Sequence, residues 1–206
     1  MYMRVTKRIT TIIAMLAIAL LSLSCSNDTD TTLTSQQKAI ENYLKGSHRP
    51  RLIEEIDVPD SMEEEPQFYT HWELNVFRYI STYYEEDRES KPMITNGTTF
   101  DIKYTAYIFK SGAPSIADMY ATNDSEKIKE LYKGYDDENI WSIEPMRITL
   151  GRQAIVGGLE LALEGCREGD KVEVYLTFDA AYGKKYIGMV PSKSAVMWDI
   201  EILEVL

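Results

Sequence analysis

The sequence predicts an α+β fold, an antiparallel sheet of five or six strands curved around one short helix. Three stretches carry that expectation. Residues 153–164 set Ile155, Leu159 and Leu163 at four-residue spacing, with Val156, Leu161 and Ala162 widening the apolar face, which is helical periodicity. Residues 171–178 alternate, so Val172, Val174, Leu176 and Phe178 share one face of a strand. The last run places Val196, Trp198, Ile200 and Ile202 on one face and Asp199 and Glu201 on the other. Glu168-Gly169-Asp170 breaks the helix before the first of these strands. Each strand has an apolar face to hide, and the helix can cover it.

The chain then reads as follows from its start. Arg4, Lys7 and Arg8 form a positive lead, and residues 12–23 are an almost unbroken apolar run ending in small residues. This is a secretory signal over 1–24, too short and wrongly flanked for a membrane span. Leu21-Ser22-Leu23-Ser24-Cys25 resembles the lipobox of bacterial lipoproteins, which implies cleavage before Cys25 and lipidation of Cys25 with palmitate-type acyl chains. The alternative is an ordinary signal peptide with an incidental cysteine. Two or more acyl chains give stable anchoring, at roughly 0.8 kcal/mol per buried CH₂. The expected location is a bacterial cell envelope, on the outer membrane facing the periplasm or the surface.

Residues 25–35 are a polar, lipidated tether without apolar periodicity. An N-terminal extension follows over 36–91. It opens with a helix at 36–44, stopped by Gly46, that packs outside the sheet or hangs loosely, and a charged loop over 49–65. Residues 73–84 are rich in aromatic and β-branched side chains and read as a strand adding to the sheet. The main domain is expected over 92–206. Its long first strand, 99–109, places Phe100, Ile102, Tyr104, Ala106 and Ile108 on one face. Residues 110–145 form an insertion with a short helix at 125–132.

Composition excludes several functions. The chain has 22 basic and 33 acidic residues, net −11; without Arg4, Lys7 and Arg8 it has 19 against 33, net −14. So acidic a chain is not drawn to nucleic acid or to anionic lipid headgroups. With Cys25 lipidated, Cys166 has no partner and reads as a small buried hydrophobe. His48 and His71 stand alone, and the acidic runs 63–65 and 136–138 lack the spacing of a calcium loop, so no metal is expected.

Residues 150–163 (LGRQAIVGGLELAL), 168–176 (EGDKVEVYL), 180–183 (AAYG) and 189–205 (MVPSKSAVMWDIEILEV) together resemble the C-terminal half of an FKBP-type peptidyl-prolyl cis-trans isomerase. The resemblance is clear over about the last 55 residues, and residues 101–112 (DIKYTAYIFKSG) look like the family's first long strand. It implies an FKBP-like fold and a pocket whose working residues are Tyr104, Ile155, Val156, Tyr182 and Trp198. The Val156 backbone N–H would bind a ligand carbonyl, and Tyr182 would donate its hydroxyl. Met146, Leu159, Tyr186, Val190 and Asp118 complete the substrate site. Met146 replaces an aromatic, and Leu159 replaces a tryptophan at the pocket base. Tyr186 is the nearest stand-in for the loop tip. Asp118 is the nearest match to an aspartate that the family places after an aromatic residue, but Ile116-Ala117 precede it here.

Isomerising an X-Pro bond crosses a barrier of roughly 20 kcal/mol, yet it needs no nucleophile, metal or cofactor. The twisted amide loses resonance and becomes less polar at oxygen, so an apolar, water-excluding pocket favours it. Ile155, Leu159, Val190 and Trp198 would be apolar in this fold even without a ligand, because they face its core. Tyr182 discriminates better, since a hydroxyl in an apolar wall needs a reason. Two readings follow. One is an exported, lipid-anchored, monomeric isomerase (a rotamase) of weak turnover, acting on proline-containing, unfolded envelope proteins. The other is a non-catalytic FKBP-fold lipoprotein that binds a peptide or partner. Tyr104, Tyr182, Pro191 and Trp198 favour the first; Met146, the missing aromatic-aspartate pair and the insertion favour the second.

Overall fold

The computed structural model describes residues 29, 31–59, 65–131, 142–152 and 155–206. The signal segment, Cys25, most of the tether, the acidic turn at 136–138 and the first two residues of the expected helix at 153–164 lie outside the described residues. The chain divides into two compact units, 1–35 and 36–206. In the first, residues 31–35 are helical and the Ser35 hydroxyl donates to the Thr31 carbonyl at 2.8 Å.

The second unit is built on an eight-stranded sheet. Its strands are β1 (Ile53–Glu54), β2 (Phe68–Trp72), β3 (Val76–Ile80), β4 (Thr99–Phe109), β5 (Met119–Thr122), β6 (Met146–Thr149), β7 (Lys171–Leu176) and β8 (Ala195–Val205). They order as β1-β2-β3-β7-β8-β4-β5, with β6 also on β4. The long pair β4 and β8 forms the spine, in register from Phe100 opposite Val205 to Phe109 opposite Ala195, with one shift at Asp101/Ile102. The sequence predicts a mainly antiparallel sheet of five or six strands, and the number is higher. Two-residue β1 and four-residue β5 are too short to show a period, and β1 pairs with β2 in parallel. The strand expected from residue 73 starts at Val76. Glu73 and Leu74 take φ of 49° and 55° and form the turn from β2, the left-handed pair that two-residue hairpins use.

On one face the sheet buries Phe100, Ile102, Val172, Val174, Val196, Ile200 and Ile202 beneath a short helix, α3 (Gly157–Leu163), which contributes Leu159, Ala162 and Leu163. Cys166 is wholly buried there, and burial pushes its thiol up to about 11, so it is packing and not a nucleophile. The opposite face is buried too. Residues 36–42 form helix α1, which runs into a π-turn at Tyr43–Ser47, and Ser125–Leu131 form α2. Ile40, Tyr43, Leu44 and Leu52 close over Phe77, Tyr79, Tyr107, Phe109, Tyr175 and Met197. The N-terminal helix therefore packs on the outer face of the sheet and does not hang loosely. Phe77, Tyr175 and Met197 give the sheet a second apolar face that must be covered.

One buried charge pair fastens the segment after β3 to the turn before β7. Arg88 donates from Nε and Nη2 to both Asp170 oxygens at 2.8 Å, and the Arg167 backbone N–H reaches Asp170 Oδ2 at 2.8 Å. On the second face His48 is enclosed, with Nδ1 against the Pro50 carbonyl and Nε2 2.9 Å from Glu173. The residue that looked solitary in sequence is thus a structural tie.

Candidate functional site

The open side of α3 faces a hollow of about 410 Å³ lined by Met146, Ile155, Val156, Gly157, Ala181, Tyr182, Lys185, Ile187 and Trp198. Four elements converge on it. β8 brings Trp198 to its base, because Trp198 belongs to the alternating apolar set of that strand. β6 begins in the hollow at Met146, opposite Ile102 of β4.

Ile155 and Val156 come from the approach to α3. Their helical spacing predicted a helix from residue 153, but it starts at Gly157, and Val156 is extended with φ −60° and ψ 125°. That extension has a consequence for the amide. The Val156 carbonyl accepts from Leu159 and Glu160, while its N–H donates to nothing among the described residues. Gly158 lets α3 press on the opposite wall: a Cβ there would lie 2.8 Å from the Ala180 carbonyl oxygen.

The fourth element is the loop 178–193. Gly183, at φ +63°, turns the chain after Tyr182, and its N–H returns to the Phe178 carbonyl at 2.7 Å. Ile187 and Val190 exchange backbone bonds of 3.1 and 2.8 Å, which pins the tip. Both ends of the loop are held by one side chain. Gln36 of α1 accepts from the Phe178 N–H and donates to the Lys193 carbonyl, each at 2.8 Å.

The aromatic wall is a linked set. Tyr104 stacks on Trp198, centroids 4.9 Å apart and planes 25° apart. Tyr120 of β5 stands edge-on to both Trp198 (6.4 Å) and Tyr182 (6.1 Å). The Tyr120 and Tyr182 hydroxyls are 3.1 Å apart. Burial first, then the neighbouring Tyr182, pushes the Tyr120 hydroxyl well above the usual tyrosine range. Burial raises the Tyr182 hydroxyl too, and the bond to Tyr120 offsets only part of that rise. Either hydroxyl of this pair can donate to the other; where Tyr120 donates, the Tyr182 O–H is left to point elsewhere. The Trp198 indole N–H is buried and has no acceptor among the described residues.

The structure thus gathers Met146, Ile155, Val156, Tyr182 and Trp198 around one space, with Tyr104 behind Trp198. Four other expected residues lie apart from the lining. Leu159 and Val190 are wholly buried in the core beneath it. Tyr186 is 70% exposed, because the Ile187–Val190 turn carries it outward. Asp118 ends a 3₁₀ turn and is bound by Lys110 at 2.6 Å and by the Ser115 hydroxyl at 2.7 Å; the Lys110 bond, ahead of the one to Ser115, holds its carboxyl below the usual range.

Tyr120, Lys185, Ile187 and Gln36 were not found from sequence. Tyr120 had a visible signal, but it follows Asp118 by two residues where an aromatic was sought before it. No metal-binding group of three or more His, Cys, Asp or Glu occurs among the described residues. Nor is any described helix long and apolar enough to cross a membrane. Chemically, the hollow offers apolar aromatic walls, one free backbone donor and one tyrosine hydroxyl. It can exclude water from an amide and bind its oxygen.

Comparison with known proteins agrees with this inventory. The family described as FKBP-type peptidyl-prolyl cis-trans isomerase matches residues 91–203. The chain is 22% identical over 151 residues to FK506-binding protein 5 of Dictyostelium discoideum, covering 69% of this chain and 8% of that protein. It is 22% identical over 120 residues to FK506-binding protein 1 of Aspergillus oryzae, covering 57% of this chain and 91% of that protein. It therefore spans under a tenth of the first relative and most of the second. Among solved structures, the three FKBP domains of wheat FKBP73 give a TM-score of 0.48 at 17% identity, over 68% of this chain and 51% of that one. The N-terminal domain of FKBP42 from Arabidopsis thaliana gives 0.45 at 15%, over 72% and 98%.

Proposed function

Because the chain belongs to the FKBP-type peptidyl-prolyl cis-trans isomerase family, we propose that it isomerises X-Pro bonds in the hollow over Trp198. The observation that carries this reading is the combination of an apolar aromatic hollow with a Val156 N–H that meets no acceptor among the described residues and a Tyr182 hydroxyl paired with that of Tyr120. The prolyl ring enters against Trp198, and Ile155, Met146 and Ile187 close around it. The planar amide is strongly polar at oxygen and loses solvation there. The twisted amide has less to lose, so the hollow binds it better and the barrier falls. The donors hold the flanking peptide carbonyls and fix the chain about the rotating bond. Tyr104, stacked behind Trp198, and Tyr120, bonded to Tyr182, keep these groups in place.

The wider setting is part of the same proposal. A positively charged lead, an apolar run and Leu21-Ser22-Leu23-Ser24-Cys25 support lipidation at Cys25 and attachment to a bacterial envelope membrane. A monomer tethered there acts on proline-containing, unfolded envelope proteins. A second, non-catalytic partner-binding reading is favoured by one observation: no carboxylate lines the hollow among the described residues.

A protease-free assay separates them. The full chain in mild detergent is added to a protein whose refolding is limited by proline isomerisation, beside Tyr182→Phe and Trp198→Phe variants. Acceleration that rises with enzyme concentration and falls in both variants is expected. Acceleration untouched by the variants places the activity elsewhere. No acceleration rejects the isomerase in favour of partner binding.

A further inference from the structure

Lys185 is the one charged residue among the described residues lining the hollow. Among the described residues it makes no ion pair, and neither does Lys184 beside it; of the other described lysines, 45, 91, 103, 110, 127 and 129 are paired and 38, 171 and 193 are not. Both side chains are exposed on the pinned loop 178–193. Around them the same loop exposes Ile187 and Met189, 43% and 63% accessible. A chain of net −11 thus presents at the mouth of its apolar hollow a free cationic pair set among apolar side chains.

We propose that this lip selects substrates carrying a carboxylate within two residues of the proline. The inference rests on the isomerase reading of the hollow. An extended peptide advances roughly 3.5 Å per residue, so a side chain one or two positions from a seated proline lies within reach of a lysine at the lip. The acidity of the whole chain opposes acidic ligands at long range, but charges beyond about 8 Å are largely screened at physiological salt. At contact the nearest charges decide, and these are Lys184 and Lys185. Because the lysines are solvated, the effect is modest: exposed pairs of this kind give at most about fivefold.

The test measures kcat/KM by NMR exchange, with the full chain in mild detergent, on peptides matched except for Glu, Gln or Lys next to the proline, on either side. The order Glu above Gln above Lys is expected on at least one side, with a Glu-to-Gln ratio of at most about five that collapses toward one in 1 M salt. Lys185→Arg keeps the ratio, Lys185→Met lowers it, and Lys185→Glu inverts it. Turnover of all peptides without a charge order, or an order unchanged in Lys185→Glu, overturns the proposal and leaves the isomerase intact. No turnover of any peptide overturns both.

Discussion

Tyr120→Phe removes one oxygen and leaves the ring that abuts Trp198 and Tyr182. What it deletes is the 3.1 Å bond to the Tyr182 hydroxyl. That distance is longer than the 2.7–2.8 Å usual between hydroxyls, so the bond belongs at the lower end of the net range for neutral hydrogen bonds, about 0.5–1 kcal/mol. If Tyr120 donates and Tyr182 in turn donates to substrate, the loss appears in binding of the reacting amide. It amounts to a roughly two- to fivefold fall in kcat/KM. Tyr182→Phe removes the substrate's donor itself and costs more, up to about tenfold. The two changes act on one chain of bonds, so the double variant should match Tyr182→Phe within about 0.5 kcal/mol. Protease-free kinetics on one proline peptide, with stability checked by urea denaturation, reads all four corners of the cycle. Fully additive losses would refute the relay. A faster Tyr120→Phe enzyme would refute it differently, by showing that Tyr120 competes with substrate for the Tyr182 proton.

Three further predictions concern the frame around the hollow. Burial opposes charge on His48, but its bonds to Glu173 and to the Pro50 carbonyl, with the Glu173 charge, outweigh that and raise its pKa above 6.5. Both ring nitrogens face acceptors, which only the imidazolium satisfies. The stabilisation is complete below about pH 6.5 and is lost as pH rises through the higher folded value; urea midpoints from pH 6 to 9 should fall, and His48→Gln should flatten the profile. Arg88→Met strands the buried Asp170 carboxylate and should cost about 3–5 kcal/mol in denaturant unfolding; adding Asp170→Asn should restore part of it, and an equal loss in both would reject the pair as the cause. Gly158→Ala drives a Cβ to 2.8 Å from both the Ala180 carbonyl oxygen and Leu176 Cδ2. A cost of about 1–3 kcal/mol is expected from such overpacking, with a raised KM because Ala181 and Tyr182 follow directly; an unchanged Tm would show that the wall yields freely.

Much of the frame was legible because its periods are long. Phe100, Ile102, Tyr104, Ala106 and Ile108 of β4 and Val196, Trp198, Ile200 and Ile202 of β8 fall at two-residue spacing, which sets them on one face of each strand. The apolar helix and the Tyr182 turn followed from local pattern and from likeness to a family with the same order of pieces. The site was legible only where it lies on those elements: Trp198 on β8, Tyr104 on β4, Ile155 and Val156 at the foot of α3.

Sequence alone determined the main strands, the helix that covers them, the acidity and the type of chemistry the hollow permits. Tertiary structure decided the rest, because the remaining decisions are contacts between segments far apart in the chain. Gln36 holds a loop some 140 residues away, and Tyr120 reaches Tyr182 from another strand. The helix at 36–42 closes a second core on a face of the sheet that alternation left open. Asp118 and Tyr186, each chosen by its place in the chain, were drawn off by a neighbouring lysine and by a tight turn. Spacing along a strand is set by backbone geometry and survives in the sequence. Which side chain finally fills a space depends on which distant partner arrives there.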